Sequence, residues 1–498
     1  MPMEEAEMIE NILEFLLQSS ATSAIISLKN ISMKSISTLW RIAMFVGRQQ
    51  ELKLLQEELA CDQRAVLVYG KRRVGKTTLI KKAIAEANCT SVYFECMKGT
   101  MQENIDNFVQ ELLRLRVLPV SLAFTSFTDV MTYLNTLPQS FIIVIDEYPY
   151  LKAMSDSDVV DSLFQNIIDN KLWNIRLILS GSHIGMMKDM LREGNALYGR
   201  FHAVIRLAEL NYLDAAQFYH DRSAYDKVAF YSVFGGSPFI NEALDVNESL
   251  RENIIRTILN PNNPVYLYAS QLLLSDYSIK MNVERIFAVL GNGRKRYSDI
   301  ETRLDANKTG NLSKQIKSLM ELEIICRNEP INKLGDNKKF SFEINDNLLR
   351  FFFTFVYKNG SALQMLGAKA FYEQYIEPEL TQFISRRFED ICREYFSLQV
   401  RSGRIKDVRN IGTYYYDDPK NHRNGEFDVA LQHSDGYSII EAKYLIKPME
   451  MDEIHREIGQ VREIDELDVK QIGFVSINGF VEQERGYLYY IGDDLFQI

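Results

Sequence analysis

From Arg64 onward, short apolar runs alternate with segments whose hydrophobic residues recur every three or four positions. The apolar runs at 65–69, 91–96, 141–145, 176–179 and 203–207 predict strands. Most are continuous rather than alternating, which suits strands covered on both faces in a parallel sheet. Helical spacing between them predicts a doubly wound α/β domain over 44–211, entered by a helix at 49–59.

The pattern then changes three times. Residues 212–280 are helical and aromatic, broken by Gly235-Gly236-Ser237-Pro238, and predict a helical lid. Over 281–345, helices are expected at 283–290, 297–304 and 311–322, with a polar turn at 305–310. In the third helix Leu312, Ile316, Leu319 and Met320 share one face, and Ser313, Lys314 and Lys317 lie opposite. Strands at 324–327 and 339–344 would complete a winged helix. Residues 346–375, with Phe351-Phe352-Phe353 and Phe355, predict a buried aromatic connector. A helix, two strands, a helix and another strand are expected over 376–498, as a separate α/β domain.

Residues 1–43 differ in composition from the rest, being rich in Ser, Ile and Met. They are either a small helical appendage or translated sequence upstream of a natural start at Met44.

Composition adds limits. At 498 residues the chain exceeds one hydrophobic core and predicts several domains. A net charge of −10 argues against indiscriminate coating of nucleic acid, although a local basic face remains open. The five cysteines are scattered with no C-x-x-C pair, so neither a disulfide framework nor a zinc site is indicated. A reducing cytoplasm is the expected compartment. No apolar run reaches membrane-spanning length, and acids occupy the N-terminal positions where a secretory leader would be basic.

The candidate chemistry begins after the first strand. Gly70-Lys71-Arg72-Arg73-Val74-Gly75-Lys76-Thr77 fits G-x-x-x-x-G-K-[ST] between a strand and a helix, with Thr78 in the same turn. The glycines let backbone N–H groups wrap phosphates, and the helix N-terminus adds partial positive charge. Lys76 would reach the β- and γ-phosphates of ATP, and the Thr77 hydroxyl would bind Mg²⁺. The apolar run at 141–145 delivers Asp146 and Glu147, the first to hold Mg²⁺ and the second to polarise the attacking water. At the next strand end, Ser180 is the candidate γ-phosphate sensor, with a plain turn as the alternative. Arg200 is a candidate sensor or finger, with an ordinary surface arginine as the alternative.

These motifs, with Phe45-Val46-Gly47-Arg48 before a helix, Ser180-Gly181-Ser182 and Leu197-Tyr198-Gly199-Arg200, resemble the archaeal-type ATPases of the AAA+/STAND-like P-loop branch. The resemblance covers roughly residues 44–350. It implies ATP as ligand, places the Phe45–Arg48 motif near the adenine, and matches 235–238 to the lid motif. It also implies a start at Met44.

In the last domain, Glu426-Phe427-Asp428-Val429-Ala430 and the run 437–443 alternate as strands around an Asp435-Gly436 turn. Such a hairpin brings Asp428 to the edge that carries Glu441, and Glu441 and Lys443 then share a face. Two carboxylates beside a lysine can bind Mg²⁺ and activate water against a phosphodiester. The spacing resembles the PD-(D/E)XK nuclease core, with Phe427 in place of the usual proline. That resemblance implies Asp428, Glu441 and Lys443 as core residues, Glu389 as the auxiliary helix acid and Gln460 as the following glutamine. It implies a fold more firmly than an activity, since a nuclease-like fold can be retained for binding only.

The expected fold is therefore α/β multidomain: a P-loop NTPase sheet with a helical lid, a winged helix and a nuclease-like α/β domain. The leading function is an ATPase coupled to DNA binding and metal-dependent cleavage; the rival is an ATP-gated interaction switch. Between 281 and 329 there are nine Lys/Arg against seven Asp/Glu, so Lys314 and Lys317 could face DNA or a protein equally well. A homo-oligomer is compatible with either reading, and no membrane association is expected.

Overall fold

Strands that are apolar on both faces need cover on both faces, and the order of the first sheet follows from this. β1 (Ala65–Gly70) and β3 (Phe141–Asp146) are buried at every position. β4 (Ile175–Gly181) is buried at all but one. β2 (Thr90–Glu95) and β5 (Ala203–Leu207) have partly exposed patterns instead. The order is β2-β3-β4-β1-β5, with every pairing parallel, so the fully apolar strands are interior and the alternating ones form the edges.

Burying each such Val, Leu or Ile side chain contributes about 1.5–3 kcal/mol, so the middle of this sheet is its firmest part. β1, β3 and β4 present their C-terminal ends, Gly70, Asp146 and Gly181, along one rim. β4 lies between β1 and β3, so the loop after β4 falls between the loops that follow the other two.

The computed structural model describes residues 45–497 apart from 88, 121, 155–156, 277–282, 305–311, 337 and 419–422. The N-terminal appendage, Met44 and the polar turn at 305–310 lie outside the described residues. Among the described residues no helix is long and apolar enough to cross a membrane.

After β5 the chain is helical. The Ala224–Phe234 helix is apolar almost all round and buries seven side chains. Helices Val283–Leu290, Tyr297–Leu304 and Leu312–Glu321 follow. An antiparallel hairpin of β6 (Ile325–Asn328) and β7 (Ser341–Ile344) comes next, with Lys295 bridging Phe342 as a minimal third strand. Leu312, Ile316 and Leu319 are buried, and Ser313, Lys314 and Lys317 are exposed, as helical spacing requires. Asp346 caps the short Asn347–Phe351 helix, and Phe351, Phe352, Phe353 and Phe355 are all buried beyond it.

The Glu377–Arg401 helix leads into a second sheet, ordered β12-β11-β10-β9-β8. β8 (Asn410–Asp418), β9 (Arg423–Gln432) and β10 (Tyr437–Lys443) are antiparallel neighbours. β11 (Val469–Ser476) and β12 (Leu488–Ile491) add on in parallel after the Met451–Arg462 helix. Three strands were expected here and five are present. The unforeseen pair, β8 and β12, are the two edges, where burial does not impose an apolar run.

This second sheet is packed onto the helical segment. Tyr212 donates its hydroxyl to the Leu495 carbonyl at 2.6 Å. Tyr225 stacks on Tyr444 with ring centroids 4.4 Å apart, and the Tyr444 hydroxyl donates to the Tyr225 carbonyl. Tyr444 directly follows Lys443, so the Ala224–Phe234 helix rests beside the strand carrying the C-terminal acid and lysine.

Candidate functional site

The loop after β1 turns because its residues allow it. Gly75 has φ +94°. A Cβ on Gly70 would stand 2.1 Å from the Leu207 carbonyl oxygen on β5, so only glycine fits where the two strands converge. The Lys76–Ala85 helix starts immediately after the loop.

The three basic side chains at the loop's variable positions each turn to partners of their own. Lys71 lies 3.8 Å from both Glu209 and Asp346. Arg72 donates to the Tyr150 hydroxyl at 3.0 Å. Arg73 sits 3.8 Å over the Phe239 ring and 4.9 Å from the Tyr268 ring centroid. Val74 is buried, and Thr77 and Thr78 are exposed at the start of the helix.

The 235–238 motif closes onto this loop. Ser237 donates to the Arg73 carbonyl at 3.3 Å, and Pro238 lies against Gly75. Arg48 braces the loop from another side, donating to the Val74 carbonyl at 3.3 Å and to the Ala208 carbonyl.

Lys76 is buried, and its ammonium donates to the carbonyls of Gly70 and Lys71, both at 3.0 Å, and to the Ser182 hydroxyl at 3.2 Å. Asp146 ends β3 in the same place, with the Thr77 hydroxyl 3.4 Å from its carboxylate. These two groups are the oxygens a hard divalent cation can take from protein when phosphates and water supply the rest.

Glu147 has φ +50°, a conformation that costs a non-glycine residue about 1–3 kcal/mol and concentrates at functional sites. Its carboxylate accepts from the Ser182 hydroxyl and from the Ser182 N–H at 3.3 Å. Ser182 therefore joins Lys76 to Glu147, as the placement of β4 between β1 and β3 dictates.

Two expected sensors sit differently from that group. Ser180 is fully buried and its hydroxyl has no hydrogen-bond partner, whereas Ser182, two residues on, meets the lysine. Arg200 is held by the Asp169 carboxylate at 3.1 Å and donates to the Tyr198 carbonyl. It does not join the Lys76–Ser182–Glu147 group. Sequence reading also missed Tyr93, whose hydroxyl donates to Asp146. Burial first, then the Asp146 charge, pushes that phenol well above its ordinary range, so Tyr93 stays a donor.

In the second sheet, Ile440 pairs with Val429 and Ile439 with Ala430. Continuing that register sets Glu441 across from Asp428, on one face. Lys443 contacts Glu441 at 2.6 Å and Glu457 at 3.4 Å. Glu389 reaches the same field from the Glu377–Arg401 helix. Burial, then the Asp428 charge, pushes Glu389 up to about 8. Burial, partly offset by Lys443, pushes Glu441 up to about 7, with Asp428 adding to the rise. Gln460 is engaged elsewhere, donating to the Tyr416 hydroxyl at 2.7 Å.

Among the described residues no group of three or more His, Cys, Asp or Glu side chains is placed to hold a metal ion. The expected three-acid ligand set of Glu389, Asp428 and Glu441 is corrected on this point. Lys443 holds Glu441, while Arg393 donates to the Asp428 main-chain carbonyl and to the Asp390 carboxylate. Arg294, Arg350 and Arg387 complete a dense ionic cluster on Asp390 and Glu343.

Two known domain families match the sequence. Residues 45–240 match an ATPase domain predominantly from Archaea, and residues 352–454 match a domain of archaeal and bacterial proteins of unknown function. An uncharacterised protein of Methanocaldococcus jannaschii is 26% identical over 450 residues, covering 89% of this chain and 97% of that protein. An uncharacterised ATP-binding protein of the same organism is 44% identical over 45 residues, 9% of this chain and 76% of that protein. Among solved structures, a Walker-type ATPase of Pyrococcus abyssi aligns with a TM-score of 0.46 and 17% identity, over 62% of this chain and 96% of its own.

The raised acids make stability depend on pH. Glu389 and Glu441 titrate near 8 and 7 in the folded chain, against an ordinary 4.5 when unfolded. The unfolded chain therefore releases its protons first, and the stability these groups contribute is lost as pH rises towards 8. In chelating buffer the melting temperature is expected to fall between pH 6 and 8.5, by roughly 1 °C per kcal/mol lost. Glu441→Gln should flatten that slope and melt higher than wild type at pH 8.5. An unchanged slope in the variant would contradict the assignment.

Proposed function

We propose, from the match of residues 45–240 to an ATPase domain found predominantly in Archaea, that the chain binds ATP and hydrolyses it at the Lys76–Asp146–Glu147–Ser182 group. The observation that carries this is the Lys76 ammonium, buried at the helix N-terminus and tied through Ser182 to Glu147. The loop's N–H groups and Lys76 bind the β- and γ-phosphates. Mg²⁺, when bound, supplies charge neutralisation on the phosphates, held by Thr77 and Asp146. Glu147 takes the proton of the attacking water, and Ser182 orients that carboxylate through its two donors. Tyr93 fixes Asp146 from β2.

This division of labour has a direct test. Glu147→Gln is expected to retain ATP binding while turnover falls ~10²–10⁴-fold, the span for losing a positioned base. Ser182→Ala is expected to lose less, because the Glu147 carboxylate remains and loses only one of its two orienting donors. Turnover of Glu147→Gln at the wild-type rate would remove Glu147 as the base.

The C-terminal face carries the second half of the reading. Asp428 set across from Glu441, with Lys443 at hydrogen-bond distance, supports a site that takes a divalent metal together with a nucleic-acid phosphate. In that case the phosphate supplies the ligands that the protein lacks. The helices and hairpin from Val283 to Ile344 have the outline of a winged helix, and exposed Lys314 and Lys317 are its candidates for phosphate contact. With Mg²⁺ or Mn²⁺ present, wild type is expected to cut DNA, and Asp428→Asn and Glu441→Gln are not. If metal-dependent DNA binding occurs without cleavage, this face is a binding module gated by ATP, the rival reading.

A further inference from the structure

Lys71 stands in the phosphate loop, yet its side chain is turned into the protein. It meets Glu209, which follows β5, and Asp346, which caps the Asn347–Phe351 helix. Burial pulls the Lys71 ammonium down, but Glu209 and Asp346 outweigh it and hold Lys71 above its usual range. One cation faces two carboxyl groups, so with both ionised a negative charge would be left in a buried place.

The Asp346 side chain shows how that is avoided. It is 2% exposed, and its Oδ2 is buried without a hydrogen-bond donor. The Glu209 and Asp346 carboxyl groups both lie 3.8 Å from the one Lys71 ammonium, and the Asp346 charge raises Glu209. A proton on Glu209 gives the orphaned Asp346 oxygen its donor. It also brings the group to neutrality: one ammonium, one carboxylate and one carboxylic acid.

We propose that Glu209 and Asp346 share one proton and, through Lys71, position the phosphate-binding loop for ATP, tying it to the lid motif and to the capped helix that precedes the C-terminal half. The two acids are positioning residues and touch no phosphate. The proposal rests on the ATP-site reading given above.

The geometry makes the device sensitive to protons. Burial first, then the Asp346 charge, pushes Glu209 up to about 8. The charged or titratable groups around the adjoining cavity of about 180 Å³ are Lys71, Arg206, Glu209, Tyr231, Glu323 and Glu394, and Asp346 adjoins from its helix cap. Arg206 is occupied by Glu323, which also holds Lys188. Tyr231 is a phenol kept neutral by burial. Glu394 is itself pushed up to about 7 by burial, so it adds negative charge over the same range. Among the described residues that line this cavity, Lys71 is already paired with Asp346 and Arg206 with Glu323, so the charge Glu209 gains above pH 8 is poorly offset. That charge sits beside the loop that must hold ATP's negative phosphates.

The test is the pH profile of affinity for a fluorescent ATP analogue with Mg²⁺, measured on the full chain between pH 7 and 9. Wild type is expected to bind about 5-fold more weakly at pH 9 than at pH 7, the scale of one added charge near the site. Glu209→Gln cannot ionise. Asp346→Asn leaves one carboxylate opposite one ammonium, so Glu209 is ionised throughout the range. Each variant should therefore flatten the profile by a different route, and melting curves without nucleotide identify which variants are folded. A purely structural role for the acids would lower melting temperature and leave the pH dependence in place. A wild-type profile that is flat overturns the proposal, as does a folded variant that keeps the wild-type slope. Absence of any nucleotide binding by wild type would overturn the ATP-site reading and this proposal together.

Discussion

The ammonium of Lys76 is the point on which this architecture depends. A buried cation must be satisfied, and here two carbonyls of its own loop and the Ser182 hydroxyl contribute to that. The carbonyls are within reach because Gly70 and Gly75 let the loop fold back on itself. The serine is within reach because β4 is seated between β1 and β3. Glu147 follows from the same seating, since the serine that meets the lysine also holds its carboxylate. Strand order, glycine placement and the acid after β3 thus meet at one buried cation.

A second layer of charge runs from that loop toward the C-terminal sheet. Lys71 meets Asp346, the cap of a helix whose Arg350 sits on Glu343 and Asp390. Asp390 also holds Arg393, which donates to the Asp428 carbonyl. Each link is a close contact between buried or half-buried groups, where charge is poorly screened. Tyr212 on Leu495 and Tyr225 on Tyr444 add a packed route from the helical segment to the same sheet. The two halves are therefore joined by both polar and aromatic contacts.

Much of the first half was legible in the sequence, for a physical reason. Interior parallel strands must be apolar throughout, so β1 and β3 announce themselves, and β5 is found at the expected 203–207. The loop motif depends on local geometry and is legible for the same reason. Edge strands carry no such obligation: β2 and β5 still show short apolar runs, whereas β8, with Asn410, Gly412, Asp417 and Asp418, and the four-residue β12 do not. Side-chain partners across the fold were the least legible. Nothing near Asp346 in the chain marks it as the partner of Lys71. Choosing Ser182 over Ser180 required knowing which way the end of β4 turns. The clustering of Asp428, Glu441 and Lys443 was foreseeable from hairpin register. The arginines that gather on Asp390 beside them were not, because they converge from separate helices and loops.

The central claim is that Lys76 is a phosphate-binding cation. It is tested most directly by calorimetric titration of Mg·ATP into the full chain and into Lys76→Met. The methionine fills the same buried path without the charge. The account predicts one ATP bound per wild-type chain and affinity at least ~100-fold weaker in the variant, as expected for losing a charge-assisted contact to phosphate. Equal affinity in the two proteins would contradict it.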